Sequence, residues 1–326
     1  MRTQQLGATD LDLTVLGFGA WAIGGAGWTL GWGPQDERDS VAAIERALEA
    51  GMNWIDTAPI YGRGRSEAVI GKAIAGLATK PIIATKCGRF DDDDGNLLGD
   101  LSRDTILREF DESLSRLGVD QIDLYQVHFP EPDAQLEEAW ETLAGLKADG
   151  AVRAIGASNF TIDQLRRAQA VAPVDALQPP YSLVDRGVED GLLQFCAAHG
   201  IGVVVFSPQG GGLLTGALTR ERLAALPKDD WRVAFDVPRF HEPELSRNLA
   251  LVELLRELGA RHGCTPGDVA IAWTLRRPEV TSAIVGLRSA EQVDGVVGAA
   301  GLLLGDGELA EIEALLARDP AEFVPA

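Results

Sequence analysis

The sequence predicts an α/β fold: a single (β/α)8 TIM barrel over residues 1–326, with an N-terminal β-hairpin and extra helices at its C-terminal end. Three observations carry this. Short apolar runs alternate with amphipathic helical segments eight times, the pattern of repeated βα units. The runs are apolar throughout rather than every second residue, as in parallel strands buried on both faces. An open doubly wound sheet would bring a glycine fingerprint after its first strand. Here Gly17-Phe18-Gly19-Ala20-Trp21-Ala22 does not complete G-x-G-x-x-G, and no helix starts there.

Gln4–Thr14 carries a Gly-Ala-Thr-Asp turn between two short extended runs and reads as the hairpin. Strands are predicted at 15–19, 53–56, 82–85, 123–127, 152–156, 175–178, 202–206 and 282–285. Between them, Val41, Ile44 and Leu48 share a helix face that stops at Gly51. Ser66 is placed to cap a helix with Val69, Ile70, Ala73 and Ile74, ending at Gly76. Ser102 opens another with Ile106, Phe110, Leu114 and Leu117, closed by Gly118. Thr161-x-x-Gln164 is a capping box, and Thr265-Pro266 is an N-cap followed by proline at the first helical position. No Pro- or Ser-rich linker divides the chain.

With 46% hydrophobic residues the chain can bury a large core. A formal net charge of −20 repels nucleic acid and anionic membrane surfaces. Cys87, Cys196 and Cys264 are odd in number and far apart, which implies no disulfide framework. Met1-Arg2-Thr3-Gln4-Gln5 carries no apolar leader, and no run reaches the ~18 apolar residues of a membrane span. A cytoplasmic protein is expected, a monomer or weak oligomer whose partner is a small molecule.

In a barrel the residues that end each strand converge on one face, where active sites sit. Those positions hold Asp56, Tyr61 in the next loop, Lys86 and His128. Each has a plain structural alternative: a capping Asp, a packing Tyr, a solvated Lys, a satisfied His. Lysine is scarce, five against 24 arginines, so a lysine at a strand end is informative. Reduction of a carbonyl leaves an alkoxide that needs a proton, and a phenol near pKa ~10 donates poorly unless a cation lowers it. Lys86 can be that cation, Asp56 can keep it charged, and His128 can hydrogen-bond the carbonyl oxygen.

The stretches Gly17-Phe18-Gly19, Ile55-Asp56-Thr57-Ala58 to Tyr61-Gly62, Thr85-Lys86, Asp123-Leu124-Tyr125-Gln126-Val127-His128, Ile155-Gly156-Ala157-Ser158-Asn159-Phe160, Leu177-Gln178 to Tyr181-Ser182 and Phe206-Ser207-Pro208 resemble the aldo-keto reductase superfamily, essentially end to end. The resemblance implies an NAD(P)H-dependent oxidoreductase with the tetrad Asp56, Tyr61, Lys86 and His128. It further implies that Ser158, Asn159 and Gln178 bind the carboxamide and that Tyr181 stacks on the nicotinamide. Ser207, Gly210, Gly212 and Leu213 would follow the pyrophosphate. In the segment from Gly286 to Gln292, Arg288 would pair a 2′-phosphate, which favours NADPH. Gln209, where many members have Leu, and Val296, near which many have Asn, depart from the family pattern. A second reading is a redox-sensing regulatory subunit on the same barrel, as potassium-channel β-subunits resemble.

Trp21, Trp28 and Trp32, Phe129, and the segment 213–244 with Trp231 are expected to build the substrate side, since tryptophans in Gly-rich loops suit pocket walls. Asp91–Asp94 reads as a solvated loop. His199, His241 and His262 are scattered, so no metal is expected.

Overall fold

The computed structural model describes residues 1–227 and 230–324. β1 (Thr3–Gln5) and β2 (Asp12–Thr14) pair antiparallel as the expected hairpin, Thr3 opposite Thr14. β3 (Leu16–Gly19), β4 (Trp54–Asp56) and β5 (Ile82–Cys87) open the barrel. A two-stranded hairpin, β6 (Arg89–Asp91) with β7 (Leu97–Gly99), rises from the loop after β5. β8 (Ile122–Val127), β9 (Val152–Ser158), β10 (Ala176–Gln178), β11 (Gly202–Phe206) and β12 (Val280–Gly286) complete it. All eight barrel strands run parallel in chain order, and β12 returns to β3 with Ala283 beside Leu16.

Because side chains alternate along a strand, the barrel strands other than β3, whose alternate positions are Gly17 and Gly19, feed two cores. Ile55, Ile83, Tyr125, Ile155, Leu177 and Val205 point outward into the layer beneath the helices. Trp54, Ala84, Leu124, Ala154, Ala176, Val204 and Ile284 point inward, and Leu6, Leu11 and Leu13 of the hairpin region close that inner core from below. Trp54 is its largest member: its indole Nε1 donates to Thr14 O and Ser282 Oγ, both at 3.1 Å. The ring lies so close to Gly17 that a Cβ there would sit 2.1 Å from it, so glycine is required. One layer higher the inward positions turn polar: Asp56, Lys86, Gln126, Ser158 and Gln178, all buried. That polar layer is the floor of the site.

Two local expectations are corrected. The second helix runs Arg65–Ile74 after Gly64 at φ +90°, so Ser66 does not cap it. Ser66 Oγ is buried between Thr57 Oγ1 (3.0 Å) and Ala20 O (2.9 Å), where it ties the loops above β3 and β4 together. Asp91 is not part of a solvated loop, its side chain being 2% exposed. It accepts from Thr29 N and Oγ1 and from Arg63 Nε, anchoring β6 to the Trp-bearing loop. The capping box at Thr161 and the N-cap at Thr265 are formed, and Thr265 makes a capping box of its own with Asp268. At the C-terminal end, helix Asp306–Leu316 joins helix Glu244–His262 through Arg261 and Glu311, 2.8 Å apart.

Candidate active site

Asp56 ends β4, Lys86 sits near the end of β5, His128 follows β8, and Tyr61 comes from the turn after β4. The Lys86 ammonium is fully buried and donates three times: to Asp56 Oδ1 (2.7 Å), Thr57 O (2.8 Å) and Tyr61 Oη (3.3 Å). The Asp56 Oδ2 atom accepts from Gln178 Nε2 at 2.7 Å. The Tyr61 ring stands edge-on to His128, centroids 5.8 Å apart, with Trp28 and Trp21 on its other sides at 6.0 and 6.5 Å.

Charges follow from this packing. Burial works to lower the Lys86 pKa, but Asp56 and Tyr61 outweigh it and the ammonium is held above its ordinary value. Burial pushes the Tyr61 phenol up, and Lys86 pulls against that rise without reversing it. His128 is driven well below its ordinary value by burial, then by the charges of Lys86 and Arg89. At neutral pH the site therefore holds an ammonium, a protonated phenol and a neutral imidazole.

Asp56, Tyr61 and His128 open into a cavity of ≈ 560 Å³, within the range of small-molecule sites, and Lys86 is buried behind them. On its tetrad side it is lined by Trp21, Trp32, Phe129, Leu30, Leu97 and Arg89. Ser158, Asn159, Gln178, Ser207, Gly212, Gly286, Arg288 and Gln292 also line it. Ser158 Oγ donates to Gln178 O (2.9 Å), and Asn159 Nδ2 donates to His128 O (3.0 Å). The amide nitrogen of Gln178 is taken by Asp56 and by Gln126 Oε1 (3.4 Å), so only its oxygen is left for the cavity.

Besides Lys86, five expected residues do not line it. Tyr181 is fully buried: its ring packs on Trp273 at 5.2 Å, and its hydroxyl donates to Glu189 Oε1 (2.5 Å) and accepts from Arg276 Nη1 (2.8 Å). The aromatic facing the cavity from this side is Phe206, the last residue of β11. The strand-end rule that found Asp56 points equally to Phe206. Leu213 is buried in a satellite core, and Gly210 packs its backbone against Val184 and Leu214, leaving Gly211 and Gly212 to face the cavity. Trp28 and Trp231 back the wall: Trp28 supports Tyr61, and Trp231 packs on Trp21 (5.3 Å) and Trp32 (5.6 Å).

Arg288 reaches the cavity but is engaged. It donates from Nε to Gln35 Oε1 (2.7 Å), from Nη1 to Trp32 O (3.1 Å) and from Nη2 to Pro34 O (2.5 Å), and Gln35 Nε2 donates back to Arg288 O (2.9 Å). All these acceptors are neutral. Burial, then the charge of Arg232, lowers the Arg288 pKa, with the charge of Asp230 pulling against them. Arg89, Arg222 and Arg232 also line the cavity and had no motif to mark them. Among the described residues no group of three or more His, Cys, Asp or Glu side chains is arranged to hold a metal ion.

Comparison with known proteins accords with this geometry. The model of the aldo/keto reductase family matches residues 15–317. The chain is 36% identical over 319 residues to the aldo-keto reductase YhdN of Bacillus subtilis (strain 168), covering 97% of this chain and 94% of that protein. It is 35% identical over 338 residues to the NADH-specific methylglyoxal reductase of Escherichia coli (strain K12), covering 99% of each. The structure of a glycerol dehydrogenase from Gluconobacter oxydans is similar with a TM-score of 0.87 at 34% identity, over 99% of this chain and 96% of that one.

Proposed function

The chain belongs to the aldo/keto reductase family, and from that premise we propose that it reduces a small aldehyde or ketone with NADPH, or oxidises the corresponding alcohol, using Tyr61 as the proton donor and acceptor. The observation that carries the reading is the buried chain from Asp56 through Lys86 to Tyr61, at 2.7 and 3.3 Å. The hydride is what the nicotinamide supplies when bound.

The residues suit a dinucleotide. Gly211 and Gly212 adopt φ +72° and +89°, where an L side chain is strained, so bare backbone is presented to the cavity. A Cβ on Gly286 would meet nothing within 4 Å, which leaves room for a ligand to approach. Ser158 and Asn159 and the oxygen of Gln178 would hold the carboxamide, Phe206 would take the ring-stacking place expected of Tyr181, and Ser207 and Gln292 would contact the phosphates and the adenosine end. Arg288, half-buried and held by neutral oxygens, would gain from an anion, which supports NADPH over NADH.

On the substrate side, the neutral His128 can donate one hydrogen bond to the carbonyl oxygen without carrying charge into the site. The Tyr61 phenol gives its proton to that oxygen. Lys86, held charged by Asp56, stabilises the phenolate that forms. Run in reverse, Tyr61 must first lose its proton. A phenol held up by burial then favours reduction at neutral pH and oxidation at higher pH.

Two of the relatives are named for opposite directions, a reductase and a dehydrogenase. The test is therefore run both ways: oxidation of NADPH and NADH with small aldehydes, and reduction of the oxidised cofactors with small alcohols and polyols. Turnover that collapses in Tyr61→Phe supports the reading. No turnover in either direction overturns it.

A further inference from the structure

Resting on the carbonyl-reduction reading, we infer that Arg89 selects carbonyl substrates carrying an anionic oxygen group, a carboxylate or a phosphate, a few bonds from the reacting carbon. Arg89 begins β6, three residues after Lys86, and lines the same cavity as Tyr61 and His128. Its guanidinium lies over the Phe129 ring at 5.0 Å, and that ring lies against the His128 ring at 5.3 Å. A single aromatic ring thus separates a cation from the imidazole that faces the reacting oxygen.

The side chain is 15% exposed, so its charge is poorly hydrated. Among the described residues its one side-chain bond runs from Nη1 to Glu131 Oε2 at 2.9 Å. Glu131 is 63% exposed and largely hydrated, and a pair of that kind holds weakly. The N–H groups on Nε and Nη2 make no bond to those residues, and they form the fork that carboxylate and phosphate oxygens match in pairs.

The rest of the tetrad-side wall is largely apolar: Trp21, Leu30, Leu97 and Phe129. Among the described residues nothing else on that wall rewards an anion. The other arginines of the cavity are held elsewhere: Arg222 by Ala217 O, Arg232 by Asp230, and Arg288 by the loop from Trp32 to Gln35. A net charge of −20 repels an anionic substrate at a distance, so a local cation decides its affinity. In the reaction, hydride adds to the carbonyl carbon and the Tyr61 proton goes to its oxygen. The anionic group is unchanged.

The test compares kcat/KM with NADPH for two matched pairs on the full chain: succinic semialdehyde against butanal, and glyceraldehyde phosphate against glyceraldehyde. The anionic member of at least one pair is expected to be preferred by about ten-fold or more, as a charge-assisted contact implies. Arg89→Gln should remove that preference chiefly through KM, Arg89→Lys should keep part of it, and Glu131→Gln should raise it. A gain in one pair alone says whether carboxylate or phosphate is recognised. Turnover of the neutral aldehydes with no preference in either pair, or a preference that survives Arg89→Gln, overturns the inference and leaves the oxidoreductase reading standing. Failure of every carbonyl in every variant overturns both.

Discussion

Gln178 donates from Nε2 to Asp56 Oδ2 at 2.7 Å, on the carboxylate oxygen that Lys86 leaves free. One carboxylate is thereby gripped from β5 and from β10, across the inside of the barrel. Its orientation toward Lys86 is fixed by a residue from the opposite wall of the cavity. The proposed acid–base chain and the proposed cofactor surface are one hydrogen-bonded unit, and this shapes what individual substitutions should do.

Tyr61→Phe removes the phenol and keeps the ring between Trp28, Trp21 and His128. Turnover should fall at least ~100-fold, within the ~10²–10⁴ of a positioned acid. NADPH binding, read by quenching of the nearby tryptophans, should persist. Turnover within a few-fold of wild type would take Tyr61 out of the mechanism.

Lys86 and Asp56 should act as a pair. The Lys86 charge opposes the burial that raises the Tyr61 pKa, so Lys86→Met should move the alkaline rise of the oxidation rate to higher pH. Breaking a buried ion pair from one side also destabilises by about 3–5 kcal/mol, a loss visible in denaturant unfolding. Asp56→Asn should act partly through Lys86, and the double variant should lose less than the two single losses combined. Additive losses with an unmoved pH profile would reduce Asp56 and Lys86 to scaffold.

Arg288→Ala separates cofactor recognition from loop support. Loss of a charge-assisted phosphate contact should weaken NADPH by about 1.5–3 kcal/mol. NADH should lose less, through release of the loop from Trp32 to Gln35 alone. Equal losses measured by titration would assign Arg288 to the loop and not to the phosphate.

Glu109 gives a pH dependence of stability. Burial raises its carboxyl from the ordinary 4.5 to about 7, against the opposing hydrogen bond from Gly88 N (2.6 Å). The folded state therefore holds this proton more tightly than the unfolded chain. The contribution is fully present below about 4.5 and is lost as pH rises through about 7. Roughly 3 kcal/mol should disappear across that window. Glu109→Gln keeps a hydrogen-bond acceptor for Gly88 and should flatten this component of urea stability between pH ~4.5 and ~7. An unchanged slope would show that Glu109 is not its source.

Some of this was legible along the chain because it is local. A strand announces itself by an apolar run, a helix by its period and caps, and a barrel places every strand end on one face. Asp56, Lys86 and His128 could be found that way. Phe206 obeys the same rule, yet the motif resemblance drew attention to Tyr181, 25 positions earlier. No local property separates these two aromatics. Phe206 is an inward residue of β11, whereas Tyr181 stands beyond the end of β10 and turns toward Trp273, Glu189 and Arg276, which satisfy its hydroxyl.

The sequence by itself determined the alternation of elements, the barrel and the convergence of the tetrad, since each follows from periodicity and strand direction. Tertiary structure decided what each polar group holds. Gln178 grips Asp56, Arg288 clamps the loop from Trp32 to Gln35, Asp91 anchors β6, and Arg89 lies one ring from His128. Those partners are tens to hundreds of residues apart, or are set by the path of a loop. A hydrogen bond forms only within about 3 Å, a distance that closure of the barrel sets and residue spacing along the chain does not.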